Sequence, residues 1–199
     1  HYELPFELYP FQSADVNELG PLSRSGLYYE PGLGKTPTST AISLYKRLCG
    51  SEVVLIIMPP TIITQWERWL RRVKRADGTG FSIMCYRGSK KQRAALSFDT
   101  DFILMGIQIF KRDYERVVSE LNHKRVHIIL DEAQCIKDVG TDNYKFYRDF
   151  VSTHSHTLLT GTPLNKPDDA YAYIKLVSPN IYRTLSQFNQ LHIRAVDFF

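Results

Sequence analysis

Cysteine is scarce in this sequence, and the few that occur are scattered. The 199-residue chain has three, Cys49, Cys85 and Cys135, which form neither a C-x-x-C pair nor a zinc-ligand spacing. This pattern excludes a disulfide-stapled scaffold and a zinc-finger-type module. An odd number of scattered thiols is typical of a reducing compartment. We therefore expect an intracellular protein, in the cytoplasm or nucleoid of a bacterial or viral system or in the nucleus of a eukaryote.

Long apolar runs are also missing. No stretch of the sequence approaches the roughly 20 apolar residues that cross a bilayer. No secretory hydrophobic segment opens the chain either. We therefore expect no membrane partner.

Charge of one sign is in only slight excess. The chain has 25 Lys and Arg against 21 Asp and Glu, a formal net charge of +4. Such a balance permits a polyanionic partner without requiring one. One local stripe is denser and comprises Arg68, Arg71, Arg72, Lys74 and Arg75. Two interpretations stay open for it, a DNA-contacting stripe and a solvated helix face whose aliphatic stems lie over apolar surface.

The composition and patterning indicate one α/β domain. Hydrophobic residues make up 43% and charged residues 23% of a chain long enough to bury a substantial core. Apolar β-rich runs alternate with helical patterns, which predicts βαβ units and a mostly parallel sheet with helices on both faces. The predicted strands are 26–30, 53–58, 81–86, 102–107, 126–130 and 156–160, and the predicted helices are 35–48, 62–75, 89–97, 111–121 and 142–152.

A glycine-rich turn joins the first of these strands to the first helix. There Gly32 and Gly34 can bring backbone N–H groups against phosphate oxygens, and the helix N-terminus adds partial positive charge. Lys35 can reach the β- and γ-phosphates, and the Thr36 hydroxyl is placed to ligate Mg²⁺. The turn therefore predicts a P-loop.

An acidic pair, Asp131 and Glu132, follows the buried strand 126–130. Neighbouring side chains on a strand point to opposite faces, so both acids can serve one site only if the strand ends there. Together with the P-loop, the pair predicts an NTP·Mg²⁺ hydrolysis site in which Lys35, Asp131 and Glu132 are the catalytic residues.

Each motif alone has a simpler interpretation. The strict P-loop pattern has Gly at the position of Tyr29, so the glycine-rich turn could be an ordinary tight turn. Adjacent acids at a strand end also cap helices or face solvent. The two motifs in this order, each after an apolar strand, favour the nucleotide site.

With these motifs placed, the rest of the chain resembles the first RecA-like lobe of superfamily-two helicases, and within them the Snf-type DNA translocases. The matching segments, in chain order, are Tyr9-Pro10-Phe11-Gln12, Ile57-Met58-Pro59-Pro60-Thr61 with Gln65-Trp66, Asp131-Glu132-Ala133-Gln134 with Cys135-Ile136-Lys137-Asp138, Leu158-Leu159-Thr160-Gly161-Thr162-Pro163-Leu164, Ser178-Pro179 and Phe188. The Ile136-Lys137 tail favours the Snf type over the RNA-directed DEAD-box type.

The resemblance implies roles for residues that the motifs alone do not assign. It implies that Gln12 reads the adenine edge, since an amide can both donate to and accept from adenine. It implies that Pro60 and Thr61 contact the phosphodiester backbone of DNA, most simply a duplex.

The resemblance also implies a coupling role for four residues. Gln134 of the acidic box and Thr160, Gly161 and Thr162 of the later motif would link the nucleotide site to nucleic acid. ATP and Mg²⁺ are the implied ligands.

Several positions depart from the family pattern. Gln134 stands where the Snf type usually has His, Gly106-Ile107-Gln108 replaces a Thr-Tyr pair, and Asn165-Lys166 replaces Gln-Asn, besides the change at Tyr29. These departures indicate a divergent member, and a viral or mobile-element origin is our hypothesis for it.

We expect residues 1–199 to form a single RecA-like helicase ATP-binding domain. Only about 35 residues follow Leu164, too few for the second RecA-like lobe of the family. We therefore expect a fragment of a longer translocase, with a stand-alone remnant as the alternative. The predicted function is to couple Mg·ATP hydrolysis to movement on DNA, with weak or no ATPase activity in the isolated lobe. The alternatives are a nucleotide-binding switch or scaffold without translocation and an RNA-directed helicase lobe.

Overall fold

Parallel strands alternate with helices along the chain in the computed structural model, which describes residues 2–162 and 167–192. The strands are β1 (Tyr2–Glu3), β2 (Arg24–Leu27), β3 (Val53–Met58), β4 (Lys74–Arg75), β5 (Ile83–Tyr86), β6 (Phe102–Gly106), β7 (Val126–Asp131) and β8 (Ser155–Leu159). The helices are α1 (Pro10–Leu19), α2 (Lys35–Leu48), α3 (Ile63–Leu70), α4 (Lys90–Ala94), α5 (Ile107–Arg112), α6 (Tyr114–Leu121), α7 (Asp142–Val151), α8 (Pro167–Val177) and α9 (Leu185–His192), with 3₁₀ turns at Pro60–Ile62 and Ala133–Ile136.

One six-stranded sheet organises the molecule, with the strand order β2-β8-β7-β3-β6-β5. Every pair of neighbours in it is parallel. The carboxyl ends of all six strands therefore meet at one edge, where ligand sites of open α/β sheets lie. A small antiparallel pair, β1 with β4, stands apart from this sheet.

The central strands are buried on both faces, and alternate residues feed two hydrophobic cores. Leu55 and Ile57 of β3 pack in the core that includes α5, α6, α7 and α8. Val54 and Ile56 of the same strand pack in the opposite core, beneath α2 and α3. The predicted α/β fold, with helices on both faces of a parallel sheet, is confirmed.

Several element boundaries differ from those predicted. The helix expected over 111–121 is interrupted at Asp113, between α5 and α6, where the carboxylate pairs with Arg93. The helix expected over 62–75 ends at Leu70, because the chain then turns into β4 and pairs with β1. Helix α1 was not predicted, since its sequence has almost no amphipathic periodicity.

No helix within residues 2–162 and 167–192 is both long and apolar enough to cross a membrane.

Candidate nucleotide-binding and hydrolysis site

The P-loop has the predicted strand-to-helix geometry. It connects β2 to α2, and Gly34 caps the helix with φ +84° and ψ +41°. Gly32 is also left-handed, at φ +90°. A Cβ at position 34 would overlap Nε2 of Gln12. Glycine is therefore required at position 34 both for backbone conformation and for space.

The Lys35 side chain lies between the P-loop and the loop after β8. Its Nζ donates to the Tyr29 carbonyl at 2.9 Å. A Cβ at Gly161 would lie 3.2 Å from the same Nζ, so the two loops approach closely. The Tyr29 hydroxyl donates to Asp15 on α1. The missing glycine at position 29 therefore does not displace Lys35, because the contact uses the backbone carbonyl.

Gln12 is buried and ties α1 to the P-loop. Its Oε1 accepts from the Tyr9 N–H at 2.9 Å, and its Nε2 donates to the Leu33 carbonyl at 2.9 Å. An amide oxygen has two lone pairs and an amide NH₂ has two hydrogens. One acceptor and one donor therefore remain beyond these two bonds.

Asp131 is the last residue of β7, and both of its carboxylate oxygens accept a hydrogen bond. The Trp66 indole N–H donates to Oδ2 at 2.7 Å, and the Glu132 backbone N–H donates to Oδ1 at 2.9 Å. Burial raises the pKa of Asp131 above its ordinary value, and the bond from Trp66 opposes that rise. Trp66 belongs to one of the matching motifs, but neither the motif nor its spacing predicted this contact.

Glu132 brings the second carboxylate into the same site through an unusual backbone. It has φ +57° and ψ +55°, and it is the non-glycine residue with positive φ in the described chain. Such a conformation costs on the order of 1–3 kcal/mol and is characteristic of functional sites. Because β7 ends at Asp131, Glu132 escapes the alternation of the strand.

Residues of both motifs line one pocket of about 300 Å³. Its lining residues are Gly32, Gly34, Lys35, Thr36, Pro37, Ile62, Gln65, Trp66, Asp131 and Glu132. The structure therefore brings together the catalytic and phosphate-binding residues predicted from two distant segments.

A chain of hydrogen bonds connects the loop after β8 to Glu132. The Thr162 N–H donates to Thr160 Oγ1 at 3.1 Å, and that hydroxyl donates to Gln134 Oε1 at 2.8 Å. Gln134 Nε2 then donates to Glu132 Oε2 at 2.7 Å. The glutamine thus bridges the two motifs despite standing where the family usually has histidine. The remainder of the later motif, Pro163-Leu164 with the following Asn165-Lys166, lies outside the described residues.

The residues predicted to contact nucleic acid lie beside this site. Pro60 and Thr61 are exposed on the 3₁₀ turn that follows β3. Thr61 lines a second pocket of about 620 Å³ together with Arg68 of α3 and with Arg72, which lies in the turn after that helix. This pocket shares Thr36, Pro37 and Gln65 with the first.

The basic stripe is divided between two environments. Arg71 pairs with Glu67 at 2.6 Å, and Arg75 pairs with Asp101 at 2.7 Å while lying over the Phe81 ring. Arg71 thus fits the solvated-face interpretation, whereas Arg75 lies on β4 rather than on a helix and is held by a largely buried carboxylate.

The donor set of the first pocket fits Mg²⁺. Among the described residues, no cluster of three or more His, Cys, Asp or Glu side chains could hold a metal alone. Mg²⁺ usually binds through one or two carboxylates together with substrate phosphates and water. The Thr36 hydroxyl and the buried Asp131 carboxylate, both at the pocket, match that requirement.

Comparison with known proteins gives a consistent family assignment. The chain is 29% identical over 174 residues to the human SWI/SNF-related matrix-associated actin-dependent regulator of chromatin subfamily A member 1, covering 80% of the chain and 16% of that protein. It is 26% identical over 206 residues to the chromatin-remodeling ATPase INO80 of Debaryomyces hansenii, covering 94% and 15%. The chain thus spans only a small part of these relatives.

A solved structure with the same fold is the Sulfolobus solfataricus SWI2/SNF2 ATPase core in complex with dsDNA. Its TM-score is 0.77 at 23% identity, covering 95% of this chain and 39% of that one. The family model described as SNF2-related domain matches residues 23–197. Since that match extends over most of the sequence, the chain belongs to the SNF2-related domain family.

Proposed function

We propose that this chain is the ATP-binding lobe of an ATP-dependent DNA translocase. In this proposal it binds ATP with Mg²⁺, hydrolyses it, and couples hydrolysis to movement along duplex DNA. It acts within a longer, intracellular protein that supplies a second RecA-like lobe. The convergence of Lys35, Thr36, Asp131 and Glu132 on one pocket carries the proposal.

The proposed chemistry is positioning plus electrostatic stabilisation, as in other phosphoryl-transfer sites. Lys35 would neutralise charge on the β- and γ-phosphates. Thr36 and Asp131 would hold Mg²⁺, which when bound supplies positive charge to the phosphate oxygens. Glu132 would orient the attacking water and take its proton. Gln12 would use its remaining amide donor and acceptor to recognise adenine.

The hydrogen-bonded chain from Thr162 to Glu132 supports a coupling role for the later motif. A shift of the loop after β8 would change the bond that Thr160 makes to Gln134. Gln134 in turn holds the Glu132 carboxylate. The position of the proposed base would therefore respond to what that loop contacts.

The proposal predicts how two single substitutions separate binding from chemistry. Glu132→Gln keeps the size of the side chain but removes the base, so ATP should still bind while hydrolysis collapses. Lys35→Ala should weaken both, because its phosphate contacts exist in the ground state and the transition state. Calorimetric titration with ATP measures binding, and a steady-state ATPase assay measures hydrolysis. Titration with GTP in addition tests the adenine preference proposed for Gln12, and we expect GTP to bind more weakly than ATP. Normal hydrolysis by the Glu132 variant would mean that another residue activates the water.

The choice of nucleic acid tests the coupling half of the proposal. The ATPase rate of the longest natural protein that contains this chain is measured with duplex DNA, with RNA and without nucleic acid. We expect stimulation by duplex DNA and little activity of the chain alone, because arginines from a second surface contribute on the order of 10³–10⁵ in rate in related systems. Preferential stimulation by RNA would favour an RNA-directed lobe, and ATP binding without stimulation would favour a nucleotide switch.

A further inference from the structure

Trp66 is the one side chain that donates a hydrogen bond to the Asp131 carboxylate in the described structure, at 2.7 Å. Trp66 is 1% exposed and Asp131 is 6% exposed, so water is largely excluded from the contact. An indole has a single N–H donor, which makes the direction of this bond specific. The two residues are 65 positions apart in the chain, so only the fold brings them together.

Two donors fix the plane of the carboxylate. The Glu132 backbone N–H holds Oδ1, and Trp66 holds Oδ2. With one donor on each oxygen, rotation of the carboxylate about its Cβ–Cγ bond breaks both hydrogen bonds. Each oxygen still keeps lone-pair capacity for a cation or a coordinated water.

We propose that Trp66 is a positioning residue for the metal-binding function of Asp131. Its indole N–H holds the carboxylate in the orientation that receives Mg²⁺ with the bound nucleotide. This inference rests on the proposed function, since it assigns an outer partner to a proposed metal ligand. Outer hydrogen-bond partners of ligating groups typically contribute about 10–100-fold in metal affinity or activity.

The same helix offers a matched control. Trp69 also lies on α3, and its indole N–H also donates to a side chain, the Thr40 hydroxyl at 2.9 Å. That bond joins α3 to α2 and does not touch either acid. Trp69→Phe and Trp66→Phe therefore remove the same kind of hydrogen bond from one helix, but only the bond made by Trp66 reaches Asp131.

The test measures metal affinity rather than turnover. Mn²⁺ is titrated into each variant of this chain in the presence of saturating ADP, and bound Mn²⁺ is followed by electron paramagnetic resonance. ADP affinity in EDTA is measured separately by calorimetry. We expect Trp66→Phe to weaken Mn²⁺ binding by about 10–100-fold while ADP affinity in EDTA is unchanged. Trp69→Phe should leave both values as in the parent.

A tryptophan isostere guards against loss of folding in Trp66→Phe. Benzothienylalanine at position 66 keeps the shape of the indole and replaces the N–H by sulfur, and it should reproduce the loss of Mn²⁺ affinity. Unchanged Mn²⁺ affinity in either folded position-66 variant would overturn the inference. Equal losses in the Trp66 and Trp69 variants would overturn it as well, because general loosening of α3 would then be the cause.

The outcomes separate this inference from the proposed function. If the parent binds Mn²⁺·ADP and the position-66 variants bind it equally well, only the role of Trp66 fails. If the parent binds ADP no better than Lys35→Ala and gains no Mn²⁺ site on adding ADP, the proposed nucleotide site itself fails.

Discussion

Thr160→Val tests whether the hydrogen-bonded chain transmits a change in the loop after β8 to the Glu132 carboxylate. Thr160 is fully buried, and valine has nearly its shape but lacks the hydroxyl. The substitution removes one acceptor, used by the Thr162 N–H, and one donor, used by Gln134 Oε1. Thr160→Ser is the control, because it keeps the hydroxyl and loses only a methyl group.

The size of the effect follows from the two lost bonds. A neutral hydrogen bond contributes about 0.5–1.5 kcal/mol net, and a buried group left without a partner costs about 1–3 kcal/mol. Thr162 is exposed and can recover a bond to water, whereas Gln134 is half-buried and recovers less. We therefore expect about 1–2 kcal/mol of lost stability. If the same free energy keeps the Glu132 carboxylate in its catalytic position, its loss lowers the rate of hydrolysis by up to about 5–30-fold.

Two measurements check this expectation. Urea unfolding of this chain gives the change in stability for Thr160→Val and Thr160→Ser. ATPase activity of the longer protein, with and without duplex DNA, gives the change in coupling. We expect the valine variant to lose DNA stimulation while ATP binding is retained. A valine variant that is less stable but stimulated like the parent would refute a transmitting role for the chain of bonds.

Two further predictions concern the P-loop and the buried sheet. Gly34→Ala and Gly32→Ala should each cost about 1–2 kcal/mol because both positions are left-handed, but only the first should also displace Gln12 and abolish a preference for ATP over GTP in calorimetric titration. Burial lowers the pKa of His127 from 6.5 to about 3. Below pH 6.5 the unfolded state therefore binds one more proton than the folded state, and the free energy of unfolding decreases as the pH is lowered. The decrease amounts to about 2 kcal/mol at pH 5. Burial also lowers the pKa of His156, to about 4, so every variant keeps the loss that comes from His156. Urea unfolding at pH 7.5 and pH 5 should therefore show a loss in His127→Gln that is smaller by about 2 kcal/mol than in the parent and in the exposed control His123→Gln; equal pH dependence in all three would contradict it.

The fold could be predicted because the central strands are buried on both faces. The run 53–58 is continuously apolar and the run 126–130 is apolar except for His127, a pattern typical of parallel strands between two helical layers. The predicted helix boundaries were wrong where tertiary contacts decide the end of an element. Asp113 interrupts a helical pattern because its carboxylate is held by Arg93 and the Tyr86 hydroxyl. That partnership cannot be seen in the local sequence.

The sequence could predict that Asp131 and Glu132 reach one site only on the condition that the strand ends between them. Alternation along a strand would have placed Asp131 and Glu132 on opposite faces. The condition is met because β7 stops at Asp131 and Glu132 turns left-handed, a conformation rare for a non-glycine residue. Local propensity argues against that conformation, so the surrounding packing and hydrogen bonds must impose it. The strain thus marks a position where the fold overrides the preference of the residue.

Trp66 and Trp69 show why the supporting contacts of the site could not be predicted at all. The two residues are of one type, three positions apart on one helix, and at that spacing they share roughly the same side of α3. Helical periodicity therefore does not distinguish them, and the motif that contains Trp66 assigned it no role. In the fold Trp66 is directed at the end of β7 and reaches Asp131, whereas Trp69 is directed at α2 and reaches Thr40. The difference depends on how α3 lies across the sheet, which is set by the packing of Ile63 and Leu70 into the core beneath it. A motif can identify which residues carry the chemistry, but which neighbour orients them is decided by the packing of the helix that bears that neighbour.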